Sequence, residues 1–310
     1  VFTNLIMSYK SYFLWPKIRL KASSFFGNCS LNKLEKLFGN MFPSGYPVIC
    51  SSGRVALYIA IIESNLGRQD KIKLFPYASH CVINTISRLT TPISYEFKSL
   101  NEIIYHQWGI TYMEKCNPII EDSVDSLYEK KTPLFSSGAN YEIWSLSKIL
   151  GTSSGGILWC KNRSDAIRIK NKMKGKRNLL ISWILRLLSL KYSIFYEFWE
   201  GTEYGYKGLS LLQRNEIYNS IKSWDKLVSD RKDKLRLFID RSLLKDQKIS
   251  GRFPSCLPIS TNLNEEEIEK MGFSVGLRHY YDGKNLKKVF PLPIHQEMDS
   301  LFLINVIKNL

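Results

Sequence analysis

Short apolar runs alternate with longer segments whose apolar residues recur every three or four positions, and this alternation fills the first two-thirds of the chain. Residues 46–50 form an apolar run that ends at the turn Ser51-Ser52-Gly53. Residues 55–64 then carry Ala56, Leu57 and Ala60 on compact faces. The pattern predicts a strand, a tight turn and a helix. It repeats, with further strands expected at 71–75, 92–97, 117–121, 141–145 and 157–160. Helices are expected at 81–89 and from Ser164. Alternation of this kind predicts an α/β layered sheet.

The most apolar stretch is 178–198, where Arg186 and Lys191 interrupt the run before it reaches the ~20 residues a membrane span needs. It reads as a buried or partner-facing helix pair; a basic amphipathic helix on a membrane surface is the other reading. From Leu209 the character changes. Residues 209–244 form one long charged helical pattern with Trp224, Leu227, Leu235 and Phe238 near helical spacing. Pro254, Pro258, Pro291 and Pro293 then punctuate short strands, and 300–310 is an amphipathic helix. The expected division is a large domain over 1–208, with 178–206 an apolar insertion, and a small C-terminal α+β domain over 209–310. No internal repeat occurs.

Composition narrows the class. The length of 310 residues suggests about two domains, and 44% hydrophobic residues exclude a disordered chain. Forty-four basic against 28 acidic residues give a net charge of +16. That excess favours an anionic partner without choosing among nucleic acid, a phosphorylated metabolite and a membrane face. The basic residues are spread along the chain, clustered only at 168–177, and no nucleic-acid motif accompanies them. Six scattered cysteines without a C-x-x-C pair, and four histidines, leave no zinc-type cluster. Free thiols fit a reducing cytosol. The apolar N-terminus carries Lys10 and lacks a small-residue cleavage site, which reads against a signal peptide.

Common phosphate and hydrolase motifs are absent, so three weaker signals carry the chemistry. Ser52, Gly53 and Arg54 open a helix after a strand, where free N–H groups bind anions; an ordinary serine cap is the plainer reading. Glu121 and Asp122 close an apolar run, so one acid lies at a strand's carboxyl end or caps the next helix. Ser145 and Lys148 follow another apolar run, ahead of Gly155-Gly156. A lysine there is a Schiff-base nucleophile or a solvated loop residue.

Taken in order, these segments resemble the DegT/DnrJ/StrS family of sugar aminotransferases, which use pyridoxal 5′-phosphate (PLP). The stretch Ser52-Gly53-Arg54-Val55-Ala56-Leu57 is similar to its cofactor-phosphate turn, and 74–86 to the segment that places an aromatic residue at Tyr77. Ile119-Ile120-Glu121-Asp122 is similar to its acid motif. Ser145 to Lys148 and Gly155-Gly156-Ile157-Leu158 are similar to its lysine loop and following strand, and Phe290 to His295 to its terminal segment. The resemblance covers roughly 34–310. It implies an aspartate-aminotransferase-like (fold type I) α/β/α domain with a mostly parallel sheet, a small second domain, and a cytoplasmic homodimer. It implies that Lys148 forms the Schiff base with PLP and shuttles the proton, that Asp122 pairs with the ring nitrogen, and that Tyr77 stacks on the ring. Ser52, Gly53, Arg54 and Ser145 would hold the phosphate. The implied reaction moves an amino group, from glutamate, to a keto-sugar of a nucleotide diphosphate, in polysaccharide or glycosylated-product biosynthesis.

Three departures stand beside the resemblance. Asp125 occupies the position where the family carries Gln or His against the ring oxygen, and a carboxylate there is unfavourable unless protonated or turned away. The loop 152–156 lacks the family's acid, and 178–206 replaces a segment that reaches the neighbouring subunit. These also fit a relative that has lost turnover and serves as a binding or regulatory partner. His295 reads as a structural histidine at a domain junction, and His80 as no base while Lys148 is at hand.

Overall fold

A computed structural model describes residues 12–19, 22–76, 78–112, 118–176, 180–189, 191–247, 249 and 251–310. Helix α1 (Leu31–Met41) leads into strand β1 (Tyr46–Cys50), helix α2 (Gly53–Glu63), β2 (Lys71–Lys73), α3 (His80–Ser87) and β3 (Thr91–Ile93). Then come β4 (Ile103–Tyr105), β5 (Ile120–Asp122), β6 (Leu127–Tyr128), β7 (Tyr141–Ser145), α4 (Leu146–Leu150), β8 (Gly156–Cys160) and α5 (Arg163–Met173). The alternation along the sequence is thus real, although β2, β3 and β5 are shorter than their apolar runs.

Five strands form the central sheet in the order β1-β8-β7-β5-β4. β4, β5 and β7 run parallel, and β8 runs antiparallel to both neighbours, so β8 alone is reversed in this sheet. β2 and β3 pair in parallel, and a bridge from Lys73 to Glu102 ties β2 to the start of β4. The architecture is the mostly parallel α/β sheet that the pattern predicts. Strand side chains alternate between faces. Trp144 and Trp159 therefore enter one core with Phe38, Phe42, Tyr128 and Trp224, while Ile143 and Leu158 enter the other with Val55, Ile59 and Ile169. Helix α2 is buried along most of its surface, which matches its almost wholly apolar sequence.

The second part carries α6 (Leu180–Ser189), α7 (Ile194–Thr202), α8 (Leu211–Ile221), α9 (Trp224–Phe238), β9 (Arg252–Phe253), β10 (Cys256–Ile259), α10 (Glu265–Lys270), β11 (Arg278–Tyr281), β12 (Leu286–Pro293) and α11 (Ser300–Asn309). The apolar segment after Asn178 is a helix pair, as its sequence suggests. The charged stretch 209–244 is two helices and not one. The chain breaks at Lys222-Ser223 so that Trp224 can be buried with its indole N–H donated to the Tyr128 carbonyl at 2.8 Å. β10, β12 and β11 form an antiparallel three-stranded sheet. Residues 12–19 run across this second part: Tyr12 pairs with Phe273, and the Phe13 carbonyl accepts from His295 Nε2 at 2.9 Å. Among the described residues no helix is long and apolar enough to cross a membrane, and no cluster of metal-ligand side chains occurs.

Candidate active site

Asp122 ends β5, and Lys148 lies in the single turn of α4 that follows β7. These two strands are parallel neighbours, with Asp122 opposite Ile143. Both side chains therefore leave the sheet at the carboxyl ends of adjacent strands, the edge at which open α/β sheets bind ligands. Asp122 is buried; one oxygen accepts the Val124 N–H at 3.2 Å. Burial raises its pKa to about 7, with Lys148 pulling it down and Asp125 pushing it up. For Lys148, burial pulls the pKa down, but Asp125, Cys81 and Asp122 outweigh it and the net shift is upward.

Asp125 is the nearest partner of that lysine. Its Oδ1 lies 3.0 Å from Lys148 Nζ and accepts the Trp15 indole N–H at 2.7 Å. Its Oδ2 accepts the Tyr105 hydroxyl at 2.5 Å. The Lys148 ammonium also sits 4.3 Å from the centre of the Trp15 ring, within cation–π range. A buried carboxylate is tolerable when paired and hydrogen-bonded on both oxygens, which is the case here. Asp125 thus acts as the lysine's counter-ion. Tyr105, which bonds Asp125, also lines a cavity of about 760 Å³ together with Phe75, Arg252 and Tyr281; Lys148, Asp122 and Asp125 are not on its walls.

The first turn of α2 faces the start of α4. Ser52 caps α2, its hydroxyl accepting the Val55 N–H at 3.2 Å. A Cβ on Gly53 would stand 3.2 Å from both Ser145 Cβ and Val124 Cγ1, so the turn and Ser145 are in close contact. The Ser145 and Ser147 hydroxyls lie 3.1 Å apart. β8 presses on the same turn from behind. Gly155, at φ +114°, donates its N–H to the Ser51 carbonyl at 2.6 Å, and a Cβ on Gly156 would meet the Ser52 carbonyl carbon at 2.3 Å. Only glycine allows that approach. The loop before it lacks an acid of its own; Glu216 of α8 takes the part, accepting the Ser153 N–H at 2.9 Å and its hydroxyl at 2.5 Å.

The helix pair α6–α7 stands over this turn. Trp183 donates its indole N–H to Ser153 Oγ at 3.3 Å. From α2, Arg54 Nη2 donates to the Tyr196 hydroxyl at 3.0 Å and lies 3.5 Å from Glu200. Outward, the pair leaves Leu180, Ile184, Ile194 and Phe198 exposed.

Ser52, Gly53, Ser145, Asp122, Asp125 and Lys148 are therefore brought to one edge of the sheet, with Arg54 beside them. Tyr77 lies outside the described residues. His295 is buried and pushed down to about 3 by burial, and it is bonded at both nitrogens, to the Phe13 carbonyl and the Glu297 N–H. It is structural. His80 is exposed near Asn84. Trp15 and Tyr105, both bonded to Asp125, are not expected in the site from the sequence; nothing local marks them.

A family described as a putative PLP-dependent aminotransferase matches residues 34–310. Among solved structures the chain is similar to the putative sugar aminotransferase Spr1654 from Streptococcus pneumoniae in its PMP form. That match has 13% identity over 95% of this chain and 97% of that one, with a TM-score of 0.65. The sugar aminotransferase CalS13 from Micromonospora echinospora is similar at 12% identity over 96% and 99% of the two chains, with a TM-score of 0.64. A DegT DnrJ EryC1 StrS aminotransferase from Brucella abortus is similar at 12% identity over 90% and 89%, with a TM-score of 0.58. At such identities these likenesses show the fold. No curated protein matches the chain.

Proposed function

The chain belongs to the family of PLP-dependent aminotransferases that matches residues 34–310, and from that premise we propose that it transfers an amino group from glutamate to a keto-sugar carried on a nucleotide diphosphate. The observation that carries the reading is the meeting of Lys148 and Asp122 at the carboxyl edge of β5 and β7.

The residues present fit the cofactor. Asp122 is a buried carboxyl with one oxygen bonded to a backbone N–H and a pKa raised to about 7, which a protonated ring nitrogen would bring down. Gly53 and Gly156 let backbone approach where a phosphate would lie, at a helix N-terminus. When bound, PLP supplies an aldehyde for the amine and a ring that accepts the electron pair. Lys148 Nζ would hold that aldehyde and, once released, carry the proton of the transfer. Asp122 would keep the ring nitrogen protonated. Ser52, Ser145 and the N–H groups of Gly53 and Arg54 would hold the phosphate, and Tyr77 would cover the ring. Asp125 would set the charge at Nζ.

The sugar acceptor is supported by the ordered motifs and by the names of the similar structures; the nucleotide diphosphate follows from the family resemblance, and the +16 charge is compatible with it. The 760 Å³ cavity beside Tyr105 offers room for such a substrate. The exposed apolar face of α6–α7 supports a homodimer, and the free thiols of Cys50, Cys160 and Cys256 support a cytoplasmic setting. On this reading the large domain would span 1–208 and the small one 209–310, and the product would enter surface polysaccharide or glycosylated natural product synthesis.

Purified protein mixed with PLP should develop the visible band of a lysine-bound cofactor, and Lys148→Ala should abolish it. Glutamate and a keto-sugar nucleotide should then yield 2-oxoglutarate and the amino sugar. A protein that stays colourless with PLP overturns the assignment. A coloured protein that transfers no amino group favours the binding or regulatory role.

A further inference from the structure

Arg54 is the second residue of α2, and its guanidinium is only half used. Nη2 meets Tyr196 and Glu200, whereas Nε and Nη1 are buried with no partner among the described residues. The side chain is 8% exposed. Buried charged donors without acceptors are costly and uncommon. Helical side chains lean toward the N-terminus of their helix, so this head group stands beyond the first turn of α2. A second cation joins it. Arg186 of α6 lies 4.2 Å from the Trp199 ring centre, and Arg54 lies 5.0 Å from the same ring. Glu200 answers one of these guanidinium charges and Glu203 bears on the other, so what stays open to an anion beside the helix N-terminus is the pair of unpartnered Arg54 donors.

We propose that Arg54 Nε and Nη1 bind the phosphate monoester of the cofactor from within the same subunit, and that α6–α7 positions the guanidinium through Tyr196, Glu200 and Trp199. The inference rests on the PLP reading above and adds a side-chain contact to it. The helix pair then closes the phosphate end in cis.

The test uses the full chain freed of cofactor and three probes: PLP, pyridoxal without phosphate, and inorganic phosphate. Arg54→Met removes both charge-assisted hydrogen bonds and should weaken PLP binding about tenfold or more, since one such bond alone is worth about that much. Pyridoxal binding should not change. Inorganic phosphate should raise the melting temperature of the wild type and not of the variant. If Arg54→Met does not fold, Arg54→Lys supplies the comparison, with a smaller loss confined to PLP. Equal losses for PLP and pyridoxal, or no loss for either, overturn the inference while the PLP reading stands. Failure of the wild type to bind PLP overturns both.

Discussion

Lys148 Nζ lies 3.0 Å from Asp125 Oδ1, and that oxygen is buried and already holds the Trp15 indole N–H. The site thus carries a fixed anion beside the amine that must react. Only the uncharged amine is a nucleophile, and Asp125 favours the charged one. Asp125→Asn removes the largest upward influence on Lys148 and leaves burial to pull it down. The expected result is a cofactor-capture rate whose pH midpoint moves lower by roughly one unit or more. Stopped-flow absorbance of PLP binding across pH measures it, and an unmoved midpoint denies Asp125 the role of counter-ion.

Trp15 comes from a segment ahead of the residues that the family match covers, yet it touches both members of that pair. Trp15→Phe keeps an aromatic face over Nζ and deletes the N–H to Asp125. A hydrogen bond to a charged group is worth about 1.5–3 kcal/mol, so loss of stability in that range is expected. Trp15→Ala also removes the cation–π contact and should cost more. Urea unfolding of the two variants separates the terms. Equal stability of Trp15→Phe and wild type would make the 2.7 Å bond energetically idle.

Gly156 tests the cradle behind α2. Its backbone is not in the left-handed region, so the demand for glycine is purely steric: a Cβ would stand 2.3 Å from the Ser52 carbonyl carbon. That neighbour is backbone and cannot swing aside. Gly156→Ala should destabilise the protein by at least about 1–3 kcal/mol, the range for overpacking, and weaken PLP binding by displacing the Ser52-Gly53 turn. Gly201 of α7 is the control, since an added Cβ there meets nothing within 4 Å. Gly201→Ala should be neutral or stabilising by roughly 0.5–1 kcal/mol.

What the sequence discloses follows from how local each determinant is. The placing of Asp122 and Lys148 at one sheet edge is legible because Asp122 closes an apolar run and Lys148 follows another within three residues, and their order resembles a known arrangement. Gly155-Gly156 is legible because close backbone approach leaves no other residue type. β4 is only three residues long and shows no alternation, so it is not expected. The break before Trp224 is invisible for a different reason: the helical pattern runs on, and a tertiary hydrogen bond to Tyr128 decides where the axis turns. Trp15 and Tyr105 reach Asp125 from 110 and 20 residues away, and Glu216 reaches Ser153 across 63. Contacts of that kind are set by the fold and leave no spacing to read. Arg54 lies in between. Its backbone place in the turn is legible, but the pairing of its side chain with α7 is not.

Asp122 makes stability depend on pH, and the sign is fixed by its environment. Burial is the largest influence and raises its pKa from 3.8 to about 7; Lys148 opposes and Asp125 adds. In the protein without cofactor, the folded state therefore keeps a proton that the unfolded chain releases near pH 4. Between about pH 4 and pH 7 the native state binds more protons, so this group's contribution falls as pH rises. At pH 7 and above its penalty is on the order of 4 kcal/mol. Glu63 and Glu121, whose pKa values are lowered, work the other way, so the raw pH profile mixes both signs. Asp122→Asn isolates the term. The variant without cofactor should gain on the wild type progressively from about pH 4 to pH 7, as read from Tm or urea midpoints. PLP should cancel that gain, because a protonated ring nitrogen gives the wild-type carboxylate a cation that Asn cannot use. A wild-type-to-variant difference that stays flat with pH would mean the carboxyl does not titrate in this range, and the pairing with a ring nitrogen would lose its electrostatic basis.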